Sequence, residues 1–295
     1  FHLLRTNLAE VIQSNSRSAS SSRGARALSG VLVVGQVAVA LMLLTGAGLL
    51  IRSFAAALRV DTGLEAATVV TARIALTREH RASDEAANKI RERLFQAMRE
   101  IPGVTSVAMS FATPFQGGLP INAFTLENDT LPPGSPQPGA YRVIVTPGYL
   151  ETLGLKLVEG RFYEEADMVP GRRLFVVDQS FARKFFPNRS AIGGHFAFGG
   201  RPTKPEEWPT IIGVVKDVPH NGAEERSGNP FIYQLFQGGR PGGLTLFLRT
   251  TRPAADVVSA LRNSVRAIDP ALPLFEAGGL QEAVDSSFDN RRAVV

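Results

Sequence analysis

Residues 27–51, ALSGVLVVGQVAVALMLLTGAGLLI, carry no charge and are bracketed by Arg26 and Arg52. A helix of this length, rising 1.5 Å per residue, reaches about 37 Å, enough to cross a ~30 Å hydrocarbon core with some tilt. The run is too long and too far along the chain for a secretory signal, and no small-residue cleavage pattern follows it. It predicts a transmembrane helix with an extension, residues 27–58. Ahead of it, Leu4, Leu8, Val11 and Ile12 recur at helical spacing, which predicts a short amphipathic helix at the membrane surface. The stretch SNSRSASSSRG, residues 14–24, reads as a flexible linker by composition. Residues 1–26 together are expected to form a cytoplasmic segment.

Beyond residue 60 the period changes. Val70, Ala72, Ile74 and Leu76 alternate, as do Leu244, Leu246 and Leu248, so two strands are predicted. The first leads into a helix with apolar residues at Ile90, Leu94, Met98 and Ile101, and the second into one with Val257, Leu261, Val265 and Ile268. Ser83 and the Pro253 region supply helix starts, and Pro102 and Pro270 follow the helix ends. A further strand follows each helix, Val104 to Phe111 and Leu272 to Phe275. The residues between are rich in Gly and Pro, with short strands expected at 122–127, 140–146, 173–178, 209–216 and 230–236 and small helices at 147–153 and 179–186.

The expected fold class is therefore α+β: one N-terminal transmembrane helix, then an external domain over residues 60–288. Within that domain, a discontinuous α/β subdomain of βαβ type (60–112 and 240–288) would hold an inserted β-rich subdomain (113–239). One large α+β domain is the alternative. The chain starts at Phe1 and ends on ArgArgAlaValVal. It is expected to be a segment of a longer protein, with 289–295 opening the next membrane segment.

Charge fixes the expected orientation. Residues 1–59 hold six basic residues against Glu10, while residues 60–295 hold 26 basic and 26 acidic residues. The whole excess of +5 thus flanks the membrane run, with Arg23 and Arg26 on one side and Arg52 on the other. Positive flanks stay inside, so the N-terminus is expected in the cytoplasm and the domain outside it. With no net surplus on that domain, a nucleic-acid surface is not expected. The chain has no cysteine, which removes thiol catalysis and cysteine metal sites and suits a disulfide-free periplasmic domain.

Little catalytic chemistry is available. His2, His80, His195 and His220 are scattered without metal-ligand spacing, and no serine-nucleophile elbow or Lys-Ser/Thr phosphate loop occurs. No catalytic residue, metal or cofactor is expected. Glu164, Glu165 and Asp167 form the densest acidic cluster and read as a solvated turn. Inside the apolar run, Gln36 lies roughly 14 Å along the helix from Ala27. With Gly35, Thr45, Gly46 and Gly48 it offers the polar and small surface that helices use to pack in a bundle.

A series of segments carries a family resemblance over essentially the whole chain. LSGVLVVGQVAVALMLLTGAGLLIRSF and VDTGLEAATVVTARIAL resemble the first membrane helix and its exit in MacB-like, FtsX-type permeases of ABC transporters, above all the large duplicated permeases of Acidobacteria. ERLFQAMREIPGVTSVAMS, VTPGYLETLGLKLVEGRFYEEAD, VVDQSFARKFFPNRSAIGGHF, WPTIIGVVKDVPHNG and LRTTRPAADVVSALRNSVRAIDPALPLFEAGGL follow in the same order. The resemblance implies a periplasmic core domain between two membrane helices of a bacterial inner-membrane permease. It also implies a cytoplasmic ABC ATPase, pairing with a second permease unit, contact with membrane lipid, and a periplasmic adaptor as partner. No catalytic residue is carried over. Asp61, Thr62 and Gly63 are expected to hinge the helix to the domain. The alternative functions are a membrane-anchored extracytoplasmic sensor or binding module, and a tethered enzyme.

Overall fold

The structure is a computed structural model that describes residues 23–58, 63–115, 119–128, 136–169, 171–218 and 230–292. The chain divides into two units, Phe1–Val60 and Asp61–Val295. The amphipathic stretch at 1–13, most of the serine-rich linker, and hinge residues Asp61 and Thr62 lie outside the described residues.

In the first unit, helix α1 spans Arg23–Leu58. It begins four residues ahead of the expected boundary at 27, so Arg23 and Arg26 belong to its opening turns rather than to a linker. Helix continuation through Gly24 is favoured by the strong helix formers Ala25, Ala27 and Leu28 behind it. Residues Gly30–Leu50 have a mean hydropathy of 2.1 and no buried position, a helix long and apolar enough to cross a membrane.

The second unit is mixed α and β. Strand β1 (Val69–Ala75) leads into α2 (Asp84–Arg99) and β2 (Val104–Ser110). Strand β10 (Gly243–Thr250) leads into α5 (Ala254–Ile268), β11 (Leu274–Gly279) and α6 (Leu280–Arg292). Between them come β3 (Ile121–Leu126), β4 (Gly139–Val145), α3 (Tyr149–Leu153), β5 (Leu157–Gly160), β6 (Leu174–Asp178), α4 (Gln179–Phe185), β7 (Phe196–Phe198), β8 (Thr210–Val215) and β9 (Phe231–Leu235).

The strands follow the order β11-β1-β10-β2-β4-β9-β6-β8-β5, with β3 pairing both β4 and β7. Because β10 lies antiparallel between β1 and β2, those two strands run parallel without touching. Strand β11 is antiparallel to β1 and so runs parallel to β10. Two strand–helix–strand units are thus interlocked, each completing the other's sheet, in the order of a ferredoxin-like split βαβ arrangement. The central strands β4, β9, β6 and β8 alternate parallel and antiparallel pairings. They join the outer four through one residue pair, Ser110↔Val145.

The burial pattern follows from the period of two along each strand. Val70, Ala72, Ile74, Leu244, Leu246 and Leu248 turn one sheet face towards Ile90, Leu94 and Met98 of α2 and Val257, Leu261 and Val265 of α5. Ala108 and Phe247, on the opposite face, join a cluster with Val143, Tyr149, Tyr233 and Leu235. A third cluster is largely aromatic, with Phe124, Phe175, Phe181, Phe186 and Phe196 buried together. Helix α2 starts where the Ser83 hydroxyl accepts from the Ala86 amide at 3.1 Å, and Asp84 and Glu85 complement its N-terminal dipole.

Three local readings change. Strand β11 begins at Leu274, not Leu272, because Pro273 has no amide to give the ladder; its carbonyl instead accepts from Ala75 N at 3.4 Å. Ile101 lies past the end of α2, yet its side chain is buried. Helix α6 runs unbroken from Leu280 to Arg292, so residues 289–292 continue a helix of this domain, anchored by buried Leu280 and Val284 one turn apart.

Leu246 is fully buried on β10, in the cluster that it shares with residues of α2 and α5. Leu246→Ala is expected to cost about 2–5 kcal/mol, read as a lowered unfolding midpoint in detergent. Leu157→Ala, on the exposed edge strand β5, should stay within about 0.5 kcal/mol of the parent.

Candidate functional site

The polar and small residues of α1 do not share one face. At about 100° per residue, Gly35 and Gly46 fall within about 20° of each other, Gln36 and Thr45 lie to either side, and Gly48 is on the far side. The Thr45 hydroxyl donates to the Leu41 carbonyl at 2.7 Å, so the helix itself satisfies it. A side chain at Gly35, Gly46 or Gly48 would meet nothing within 4 Å. Gln36 and Arg52 are exposed.

The first residues of the second unit are held from several directions. Gly63 is buried with φ +69°, and a Cβ there would lie 3.2 Å from the Asp217 carbonyl and 3.3 Å from Val218 Cγ2. The backbone therefore passes where only glycine fits without strain. Two residues on, the Glu65 amide donates to the Leu153 carbonyl at 2.9 Å. The Glu65 carboxylate accepts from Arg249 Nη1 at 2.7 Å, and the same nitrogen donates to Thr68 Oγ1 at 3.1 Å. Arg249 Nε donates to the Glu151 and Thr152 carbonyls at 3.1 and 3.2 Å, among the last carbonyls of α3, where a cation also meets the negative helix end.

One guanidinium on β10 thus ties the start of the unit to α3. Gly154 makes room for it; a Cβ there would sit 2.7 Å from Glu65 Cγ and 2.8 Å from Arg249 Nη2. Beneath this clamp, Ala66, Val69, Leu153, Leu155, Val218, Leu280 and Val284 share one apolar cluster. The unit's first residues, its last helix and its middle strands meet at this junction. Of the expected hinge residues only Gly63 is described, and it is buried against Asp217 and Val218. Sequence reasoning found neither Glu65 nor Arg249, because 184 residues separate the partners and no local pattern links them.

Asp217 closes the junction from the other side. Its oxygens accept from Ser180 N at 2.7 Å and from Arg183 Nη2 at 2.6 Å. Nearby Asp178 caps α4 by accepting from Phe181 N at 2.7 Å and also accepts from Phe231 N at 2.9 Å. Burial pushes the Asp178 carboxyl up to about 7, against the lowering effect of those two amides.

The acidic cluster at 164–167 is not a solvated turn throughout. Glu164 and Glu165 are exposed, but the Asp167 side chain is 2% exposed and is gripped by Arg161 at 2.6 and 3.0 Å and Arg172 at 2.7 Å. It also accepts from the Glu164 amide at 3.0 Å, closing a capping box. Hydrogen bonding from Arg161, opposed by burial and aided by that amide, holds its carboxyl down at about 2. The Tyr163 hydroxyl in the same loop donates to the Tyr233 carbonyl at 2.8 Å and accepts from Val176 N at 3.1 Å; burial pushes its ionisation up. A cleft of about 510 Å³ beside this loop is bordered by Arg99, Thr105, Ser106, Glu151 and Glu164.

Among the described residues no three His, Asp or Glu side chains gather as metal ligands. His80 sits between Thr77 Oγ1 at 2.9 Å and Asp269 at 3.2 Å, fastening a turn to the end of α5. His195 Nδ1 lies 3.2 Å from the Pro209 carbonyl. His2 and His220 lie outside the described residues.

Residues 30–268 match the family described as the MacB-like periplasmic core domain. Over 104 residues, 33% of this chain, the sequence is 29% identical to the macrolide export ATP-binding/permease protein MacB of Aggregatibacter actinomycetemcomitans, a stretch covering 15% of that protein. Over 25% of the chain it is 30% identical to the uncharacterized ABC transporter permease YknZ of Bacillus subtilis (strain 168), covering 17% of that protein. Each match spans less than a fifth of the relative's length. The crystal structure of the periplasmic region of MacB from Actinobacillus actinomycetemcomitans aligns with a TM-score of 0.49 and 17% identity, over 79% of this chain and 98% of that one. The extracellular domain of the noncanonic ABC-type transporter YknZ from Gram-positive bacteria gives 0.42 and 14%, over 68% and 92%.

Arg249→Ala removes four hydrogen bonds and is expected to cost about 2–3 kcal/mol in denaturant unfolding, with Arg249→Lys recovering less than half. A loss under about 0.5 kcal/mol would count against the clamp. Asp167→Asn is expected to cost about 1–3 kcal/mol at neutral pH. Because the folded Asp167 carboxyl lies at about 2, below the ordinary value near ~3.9, its contribution is full above pH ~4 and is lost as pH falls towards ~2. The difference in melting midpoint between parent and Asp167→Asn should therefore close across that window; a gap that persists at the acid end contradicts it.

Proposed function

Because this chain belongs to the MacB-like periplasmic core domain family, we propose that it is part of an ABC transporter permease and passes ATP-driven movement across the bacterial inner membrane to an extracytoplasmic domain. In this reading α1 is the first membrane helix, with Arg23 and Arg26 at the cytoplasmic face and Arg52 at the outer one. Gly35 and Gly46, with Gln36 beside them, face other membrane helices. Residues 60–112 and 240–288 act as one subdomain and 113–239 as another, and residues 289–295 lead towards a further membrane helix. The domain itself is non-catalytic, and ATP hydrolysis belongs to a separate cytoplasmic ATPase. A second permease unit, membrane lipid and a periplasmic adaptor complete the partners. An exported peptide, drug or lipoprotein is the cargo class.

One observation carries the proposal. Four residues, 59–62, separate the end of α1 at Leu58 from buried Gly63, and within the next five residues the chain is bound to α3 and β10. A displacement arriving through so short a connection reaches both chain-distant parts of the domain at once, because packed elements shift as units. A binding module on a passive tether would need no such fastening at the point of attachment.

The test is a flexible Gly-Ser insertion between Asp61 and Gly63 in the complete permease, reconstituted with its ATPase. Membrane insertion and ATP hydrolysis are expected to persist while transport falls to background. Undiminished transport would overturn the proposal.

A further inference from the structure

A cleft of about 360 Å³ opens between β4, β6, β7 and β9, within the size range of sites that hold small ligands. Its lining combines Arg142, Arg172 and Arg173 with Phe175, Phe198, Glu207 and Gln234. The Arg142 guanidinium lies 5.1 Å above the Phe198 ring, and Arg173 Nη1 donates to the Glu207 carbonyl at 2.8 Å. Neither arginine has a carboxylate within ion-pair distance among the described residues. Arg172 also borders the cleft, but Asp167 engages it. Two guanidiniums without an ion pair among the described residues, in a cleft that Glu207 and Gln237 also border, leave a net positive lining that attracts an anion. Their planar forks match carboxylate geometry.

A second feature narrows the ligand. Gln234, also in the cleft wall, has a buried side-chain carbonyl with no donor among the described residues. Leaving such an acceptor unmet costs about 1–3 kcal/mol, which a ligand N–H would offset once a turn of the side chain brings the amide to the cleft. A phosphate dianion or a free carboxylate offers no N–H. A peptide carrying carboxylates offers both groups at once, and an apolar side chain could cover Phe198.

We propose that this cleft binds a short acidic peptide segment, its carboxylates on Arg142 and Arg173 and a backbone amide on Gln234. The site lies apart from the junction at Gly63, so the proposal does not rest on the permease reading and can fail or succeed without it.

The chain supplies its own reporter. Trp208 is its single tryptophan, between Glu207 and Pro209, which both line the cleft. The 295-residue chain in nonionic detergent would be titrated with acetyl-Gly-Glu-Glu-Leu-Gly-amide, with the same peptide carrying Gln for Glu, and with inorganic phosphate. The acidic peptide is expected to shift Trp208 fluorescence saturably, with affinity falling as salt rises. The Gln peptide, and the acidic peptide on Arg142→Gln or Arg173→Gln, should bind at least about tenfold more weakly, with melting midpoints unchanged. Gln234→Met should weaken the peptide and leave phosphate unaffected. Equal binding of both peptides, insensitivity to both arginine variants, or no saturable change at millimolar peptide would each overturn the proposal. Phosphate displacing the peptide at equal concentration, with Gln234→Met without effect, would show a general anion site and overturn it too.

Discussion

Strands β1 and β2 lie parallel with a gap between them, and the strand that fills the gap arrives from the other end of the domain. Until β10 is in place, the apolar residues Val70, Ala72 and Ile74 and the helix face of Ile90, Leu94 and Met98 have no complete partner. The same holds for β10 and β11, which need β1 between them. The hydrophobic driving force of each split unit is therefore satisfied only by the other, and the beginning and end of the domain are brought together by core burial. Everything from β3 to β9 is accommodated as an excursion from β2. It returns to the outer sheet through the single pair Ser110↔Val145, reinforced by Thr146, whose hydroxyl both accepts from and donates to the Met109 backbone. Arg91 over the Phe236 ring at 4.6 Å and the Arg240–Asp84 pair at 3.3 Å add side-chain ties between α2 and the residues leading from β9 into β10.

That closure creates the junction at Gly63. With β1 and β10 paired along their full length, Arg249 falls opposite Val69 and within reach of the residues just before β1. Its exposed partner Glu65 would contribute little as an isolated surface pair. The fastening comes from the set: one guanidinium also reaches Thr68 and two α3 carbonyls, the Glu65 amide bonds Leu153, and an apolar cluster lies below.

The outer framework was legible in the sequence because it follows clean periods. Alternation at 70–76 and 244–248 and the helical spacing at 90–98 and 257–268 gave strands and helices that differ from the observed ones by a few residues. The central strands β4, β6, β8 and β9 were also readable as short apolar runs between turns. Strands β5 and β7 were not: all four residues of β5 are exposed, and β7 is three residues long, so neither has an apolar alternation to detect. Helix α6 went unread because its polar stretch DSSFDNRR hides the two positions, Leu280 and Val284, that anchor it. The acidic loop misled for a different reason. Charge alone marks Asp167 as solvated, and only the fold brings Arg161 and Arg172 around it. The junction depended on a pairing across 184 residues, which no local pattern encodes.

The claim that the start, middle and end of the domain are locked together at one place is open to a direct measurement. Hydrogen exchange would be followed by mass spectrometry in the intact chain and in Arg249→Ala, over peptides covering residues 64–69, 149–156, 278–286 and 257–265. If the lock exists, the substitution raises exchange together in the first three, while the α5 peptide at 257–265 keeps its protection. Faster exchange confined to the neighbourhood of residue 249, or none at 64–69, would contradict it.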